Sequence, residues 1–237
     1  MTRYVEETMQ ASKTTAVLWV SLSLMAALLA FEPKSSAAEE NKIRLQWAFG
    51  ALTGPEDDPA LVSIEETAVL RSGDRMKIFF QPQTDCHLYL FYQSSQAELM
   101  VLLPERGSGS RTTAGTRMMV PHGSDWFRLD EITGIETFYL LVSARPLENI
   151  EALCNNLSAA SVASEREAVG RQILSEIHRL QKYRRTLTAD AERPIRLGGN
   201  FRGLTEQGQP ELPDISKIAM EISAPDFYSR TFTIDHR

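Results

Sequence analysis

The amino-acid sequence predicts a mainly β (α+β) fold: an antiparallel β-sandwich with one long amphipathic helix inserted before the last two strands. Three patterns carry that reading. From Thr67 to Ser143 short apolar–polar alternations follow one another with Gly and Pro between them, the spacing of a sandwich or barrel and not of βαβ units. A three- and four-residue apolar repeat then runs to Leu187, the period of a helix with one oily face. Two further alternations, Ile218–Ala224 and Phe227–Ile234, close the pattern. With 237 residues, 43% hydrophobic and 24% charged, the chain can build one substantial core behind a leader.

The leader comes first. Thr14 to Ala30 is uncharged and bounded by Lys13 and Glu32. Its length falls short of the roughly 20 residues that span a bilayer and suits the apolar core of a signal sequence better. Phe31-Glu-Pro-Lys34 breaks a helix, and Ser36-Ala-Ala38 supplies the small residues of a cleavage site. We therefore expect a signal peptide over 1–38, cut after Ala38 with Ala30 as the second site. The alternative is an uncleaved inner-membrane anchor formed by residues 14–30. In either case residues 39–237 form a single domain in a periplasmic or secreted location.

Ile43–Phe49 alternates as a half-buried strand, and Gly54–Pro59 is an acidic turn. Arg75–Gln81 sets Met76, Ile78 and Phe80 on one face and Arg75 and Lys77 on the other. Cys86–Gln93 is apolar on both faces, through Cys86, Leu88, Leu90 and Tyr92 on one and Tyr89 and Phe91 on the other, as in a central strand covered on both sides. Glu98–Leu103 follows a polar turn as its hairpin partner. Pro104–Ala114 is a loop, and Thr116–Val120, Trp126–Leu129 and Glu136–Ser143 are three more strands. Pro146 opens a helix, Ser164 with Glu167 forms a capping box, and Val169, Ile173, Ile177, Leu180 and Leu187 make a stripe. Helical insertion thus covers 146–187. The stripe is no wider than a core contact needs, which favours a helix lying on the sheet over one docking a partner. Residues 188–217, rich in Gly, Pro and charge, form an irregular connection. A final strand as apolar as Phe227–Ile234 returns to the sheet.

Composition and motifs narrow the function. The formal charge is −6, a poor match for a phosphate backbone, so nucleic acid is excluded as a partner. There is no G-x-S-x-G elbow, no phosphate-binding loop, no H-E-x-x-H and no C-x-x-C, so no catalytic motif or cofactor is expected. His87, His122, His178 and His236 do not fall at metal-ligand spacing. His87 reads as a hydrogen-bonded residue of the sheet and His178 as a solvated residue of the helix. His122 stands out because Asp125 and Trp126 share its turn, Pro121-His-Gly-Ser-Asp-Trp126, although Ser and Asp are also ordinary turn formers. Arg106, Arg111 and Arg117 surround a Gly/Ser loop and offer charge to an anionic polymer, or simply keep the loop soluble. Glu56-Asp-Asp58 lacks the ligand spacing of a calcium loop, and Gly198–Gly203 lacks the strand and helix of a phosphate site. In an oxidising compartment Cys86 and Cys154 form either a disulfide, worth about 4 kcal/mol on the chain-entropy model, or two small buried apolar groups.

Ordered segments from about residue 66 to 157 resemble a bacterial family, domain of unknown function 4384. They are Leu70-Arg-Ser-Gly-Asp-Arg-Met-Lys-Ile-Phe-Phe80, Thr84-Asp-Cys-His-Leu-Tyr-Leu-Phe91, Leu102-Leu-Pro104, Thr116–Pro121, Phe127-Arg-Leu-Asp130, Gly134-Ile-Glu136 and Leu141-Val-Ser-Ala-Arg-Pro-Leu147. Three positions depart from the pattern: His87 replaces a Tyr, Ala97 a turn Gly, and Leu103 a Phe. The resemblance implies a β-sandwich module behind an export signal or beside caspase-like or kinase-like domains, completed by the carboxy-terminal strands, and brings no catalytic residues with it. The expected function is an exported, non-enzymatic cell-envelope accessory module binding a partner protein, peptide or glycan. The alternative is a hydrolase or metal-dependent enzyme using His122, Asp125 and Asp130.

Overall fold

The computed structural model describes residues 42–185, 191–194 and 213–237, all within one unit spanning residues 40–237. The leader with its cleavage positions, Leu187, the Gly198–Gly203 stretch and most of the 188–217 connection lie outside the described residues. The described residues are mainly β: they form two sheets, one of them mixed, and two α-helices.

The first sheet is built on β1 (Ile43–Thr53), whose neighbours are β12 (Met220–Ala224) and β4 (Arg75–Pro82). Strand β11 (Ala191–Pro194) extends it beyond β12, and β2 (Ala60–Ser63) pairs the far half of β1. Two short strands, β8 (Met118–Val120) and β9 (Phe127–Arg128), pair β4. The second sheet runs in the order β3 (Thr67–Leu70), β13 (Phe227–His236), β10 (Gly134–Ser143), β5 (Cys86–Gln93), β6 (Leu99–Leu103), with β7 (Arg111–Thr112) on β5. All its pairings are antiparallel except β3 with β13.

Side-chain alternation explains the layering. Ile43, Leu45, Trp47 and Phe49 of β1 with Met76, Ile78 and Phe80 of β4 face Leu88 and Leu90 of β5, Phe138 and Leu140 of β10, and Tyr228, Phe232 and Ile234 of β13 in one buried cluster. Aromatic edges lock the two sheets together: Phe49 meets Phe138 at 4.9 Å and Phe232 at 5.2 Å between ring centres, and Trp47 meets Phe232 at 5.1 Å. Such pairs add about 0.5–1.5 kcal/mol each beyond their area.

The outer face of the second sheet is apolar too, and helices cover it. Helix α1 (Glu148–Ala159) and helix α2 (Ala163–Arg185) press Ile150, Leu157, Ile173, Ile177 and Leu180 onto Tyr89, Phe91, Tyr139, Leu141 and Phe227. The insertion is therefore two helices where the periodicity predicts a single long one, and Pro146 precedes the Leu147 cap instead of opening the helix. A 3-10 turn at Ile215–Ile218 covers Ala48 and Phe79 on the outer face of the first sheet. Strand β11 stands inside the stretch expected to be irregular, so among the described residues three strands, not two, follow the helices. Among the described residues no helix is long and apolar enough to cross a membrane.

Candidate functional site

Two polar constellations and one groove stand out. The groove, of about 280 Å³, lies along β6, the loop after it, and the carboxy-terminal end of α1. Leu99, Met100 and Val101 form one wall; Asn155, Leu157 and Ser158 form the other. Arg106 reaches across, donating to the Ser158 carbonyl at 3.1 Å, and Arg166 of α2 lines the same space. A helix carboxy-terminal end draws cations through its unpaired carbonyls, which accounts for Arg106. Strand β6 is a sheet edge with no strand on its far side among the described residues, and Met100 is 46% exposed.

His122 borders this region, its Nε2 held against the Glu105 carboxylate at the groove's rim. Asp125 and Trp126 serve another purpose. The Lys77 side chain, 4% exposed, passes through the sheet's outer face and donates from Nζ to the carbonyls of Gly123 at 2.6 Å and Asp125 at 2.7 Å, with the Trp126 ring 5.6 Å away. Burial lowers the Lys77 pKa, and the Asp125 charge opposes that shift. The turn that carries His122, Asp125 and Trp126 thus holds the protein's own ammonium group on two of its carbonyls. Arg111 lies elsewhere, paired with exposed Asp85 at 3.0 Å. Arg117 pairs with Asp214 at 3.2 Å over the Phe79 ring. Asp130 accepts from the Ile132 N–H at 2.7 Å. His122, Asp125 and Asp130 therefore each have a different partner, and no hydrogen bond joins them. Among the described residues no group of three or more His, Cys, Asp or Glu side chains is placed to hold a metal.

The cysteines lie on opposite sides of the second sheet. Cys86 belongs to the core between the sheets and Cys154 to the core beneath the helices. Both are free buried thiols, so the bridge is replaced by its alternative. Burial pushes Cys86 up to about 12 and Cys154 up to about 11, with neighbouring carboxylates Asp85 and Glu151 adding to each.

The first polar constellation docks α1. The Tyr89 hydroxyl donates to Glu151 Oε1 at 2.8 Å and accepts from the Leu147 N–H at 2.9 Å. Ser110 donates to the same carboxylate oxygen at 2.5 Å, and His87 Nδ1 lies 2.8 Å from the Ser110 hydroxyl.

The second constellation sits between the sheets at the end where β10 begins and β13 finishes. His236 is 1% exposed and Glu136 is 4% exposed. His236 Nδ1 lies 3.1 Å from Glu136 Oε1, and His236 Nε2 lies 3.1 Å from the Ser72 hydroxyl in the β3–β4 turn. Tyr92 donates to the second Glu136 oxygen at 2.8 Å, and burial, reinforced by that carboxylate, raises the Tyr92 pKa. Beside it opens a cavity of about 180 Å³ lined by Met76, Leu102, Phe127, Arg128, Glu136 and Phe138, among others. Sequence reading misses this set because Ser72 and Glu136 stand 164 and 100 residues from His236. A signal for it exists: Glu136 shares the inward face of Phe138, Leu140 and Val142, and His236 that of Phe232 and Ile234. Ionisable groups at positions facing a core need partners.

Residues 69–146 match the family described as Domain of unknown function (DUF4384), in agreement with the resemblance drawn from the sequence. The match holds Ser72, Tyr92 and Glu136 of the second constellation and Arg106 of the groove; His236 and Arg166 lie outside it. No curated protein and no solved structure matches the chain.

Proposed function

Starting from a chain whose residues 69–146 match domain of unknown function DUF4384, we propose that it is an exported cell-envelope β-sandwich module that binds a partner protein through an extended acidic segment. The segment adds as a strand to the open edge of β6, with its carboxylates against Arg106 and Arg166. The observation that carries this reading is the edge strand bordering a groove with two guanidinium groups. An edge strand offers a row of main-chain donors and acceptors, which gives affinity, and pockets beside it select alternate side chains. Planar guanidinium groups suit carboxylates. Export rests on the leader pattern at Thr14–Ala30. Helix α1, packed on the second sheet, keeps the opposite wall of the groove fixed.

Two measurements test the proposal. Amide NMR with extended peptides alternating Val and Glu, against matched Val and Lys peptides, should shift Leu99–Leu103 for the acidic set alone. Changing Arg106 and Arg166 together to Ala should weaken that binding about tenfold or more, as expected for two lost charge-assisted contacts. Shifts outside β6, or equal response to both peptide sets, refute the edge-strand reading. Cell fractionation tests export, and recovery of the chain in the cytosol refutes it.

A further inference from the structure

The second polar constellation goes beyond partner binding. We propose that Ser72 is an activated nucleophile toward small carboxylic esters, with His236 as its base and Glu136 and Tyr92 as positioning residues. A carboxylate only accepts hydrogen bonds, so Glu136 at 3.1 Å fixes the hydrogen of the imidazole on Nδ1. That leaves Nε2 as an acceptor 3.1 Å from the Ser72 hydroxyl. Tyr92, on the other Glu136 oxygen at 2.8 Å, stops the carboxylate from rotating away. A nucleophile hydrogen-bonded to a base, with the base oriented by a third group, is the geometric mark of covalent catalysis on unrelated folds.

The turn around Ser72 is rigid. The Asp74 N–H donates to the Arg71 carbonyl at 3.0 Å, and the Arg71 N–H donates to the Asp74 carboxylate at 2.8 Å. Gly73 holds a φ of 91°, a conformation natural to glycine. Ser72 itself is only half-buried, while His236 is enclosed. Main-chain N–H groups do not form the oxyanion site here, because those of Ser72 and Gly73 donate to Arg237 and Leu129 carbonyls at 3.4 and 2.9 Å. That task falls to Arg128, whose Nη2 lies 3.7 Å from the place a Cβ on Gly73 would occupy. Arg128 also lines the adjoining cavity of about 180 Å³, where Met76, Leu102, Phe127 and Phe138 give an apolar seat for a short acyl group.

In the first step Ser72 Oγ bonds to the ester carbonyl carbon and its proton passes to His236 Nε2. The bond to the alcohol oxygen then breaks, and the alcohol leaves with that proton. In the second step water attacks the acyl-serine, gives a proton to His236 Nε2, and releases the carboxylic acid as Ser72 regains its hydrogen. Water is the only co-reactant and no electrons are exchanged.

The test treats the full chain with a fluorophosphonate probe, which bonds to an activated serine oxygen and expels fluoride, and locates the adduct by peptide mass spectrometry. A p-nitrophenyl acetate assay follows turnover. One adduct on Ser72 is expected, absent in Ser72→Ala, and slowed about a hundredfold or more in His236→Gln, the scale of lost general-base help. Arg128→Ala, an exposed change that leaves the core intact, should slow acetate release while thermal unfolding stays in place. Glu136→Asp should recover more of the labelling rate than Glu136→Gln, which a merely structural role would not require. A folded chain that gives no Ser72 adduct, or one labelled at the same rate with Arg128→Ala and His236→Gln, overturns the proposal.

Discussion

Ala97 has a φ of 64° in the turn joining β5 to β6, where the Ala97 N–H donates to the Ser94 carbonyl and the Ser94 N–H to the Glu98 carbonyl. A left-handed residue with a Cβ costs about 1–2 kcal/mol, which glycine avoids. Ala97→Gly should therefore raise stability by about 1 kcal/mol, seen as a higher urea midpoint at unchanged slope. The sequence already marks Ala97 as standing where the family pattern expects Gly, so this strain is legible in advance. Lys77 is legible only by half. Alternation puts it opposite Met76 and Ile78, but nothing local says that the carbonyls of residues 123 and 125 return to take two of its hydrogens. Lys77→Met should strand two carbonyls and cost about 1.5–3 kcal/mol, measurable by chemical denaturation; no loss would mean that water replaces the ammonium. His122, Asp125 and Asp130 each bond to a different group, since nearness along the chain is not convergence in space.

At the scale of elements the long strands follow their periods. Both faces of β5 are used as its doubly apolar pattern predicts, one toward the first sheet and one beneath the helices. The elements that escape notice are the short ones, β2, β3, β7 and β11, since two to four residues hold too few alternations to form a period. The helix pattern breaks where Ala160 turns to an extended conformation, a change that small residues do not announce. Helix α1 depends on the Tyr89, Ser110, Glu151 and His87 constellation, and this gives it a pH dependence. Burial, with Arg111 adding and Glu151 opposing, lowers the His87 pKa below its ordinary value. The unfolded chain then binds the proton more readily than the folded one. Stability is complete above the ordinary histidine value of about 6.5 and falls as pH drops through the lowered folded value. His87→Gln should flatten that fall, as followed by urea midpoints between about pH 5 and 7. Helix α2 offers a complementary test: a Cβ on Gly170 would sit 3.4 Å from Leu99 Cβ, ordinary contact. Gly170→Ala should thus gain up to about 1 kcal/mol of helix propensity, detectable as a higher thermal midpoint.

At the scale of the molecule the family match and the folded unit differ in extent. Residues 69–146 hold β4 to β10, but β1, the centre of the first sheet, and β12 and β13 lie outside. Expressed alone, that stretch should show no cooperative unfolding, because the inner faces of β4 and β10 lose the strands that cover them; residues 42–237 should unfold in one transition. A cooperative 69–146 fragment would show that the outer strands are accessory. The sequence foretells two facing layers and a returning final strand, since both follow from where apolar side chains must hide. It does not foretell which strand neighbours which, because pairing is settled by contacts between residues far apart.

The seat of β13 between β10 and β3 has a consequence for how the protein comes into being. A ribosome must release residue 236 before β10 and β3 can be joined and before His236 can reach Ser72. Until then the growing polypeptide is a set of half-finished ribbons whose inner faces lack their cover. Maturation of the sheets, and of any reactivity at Ser72, therefore waits for the last strand to be seated.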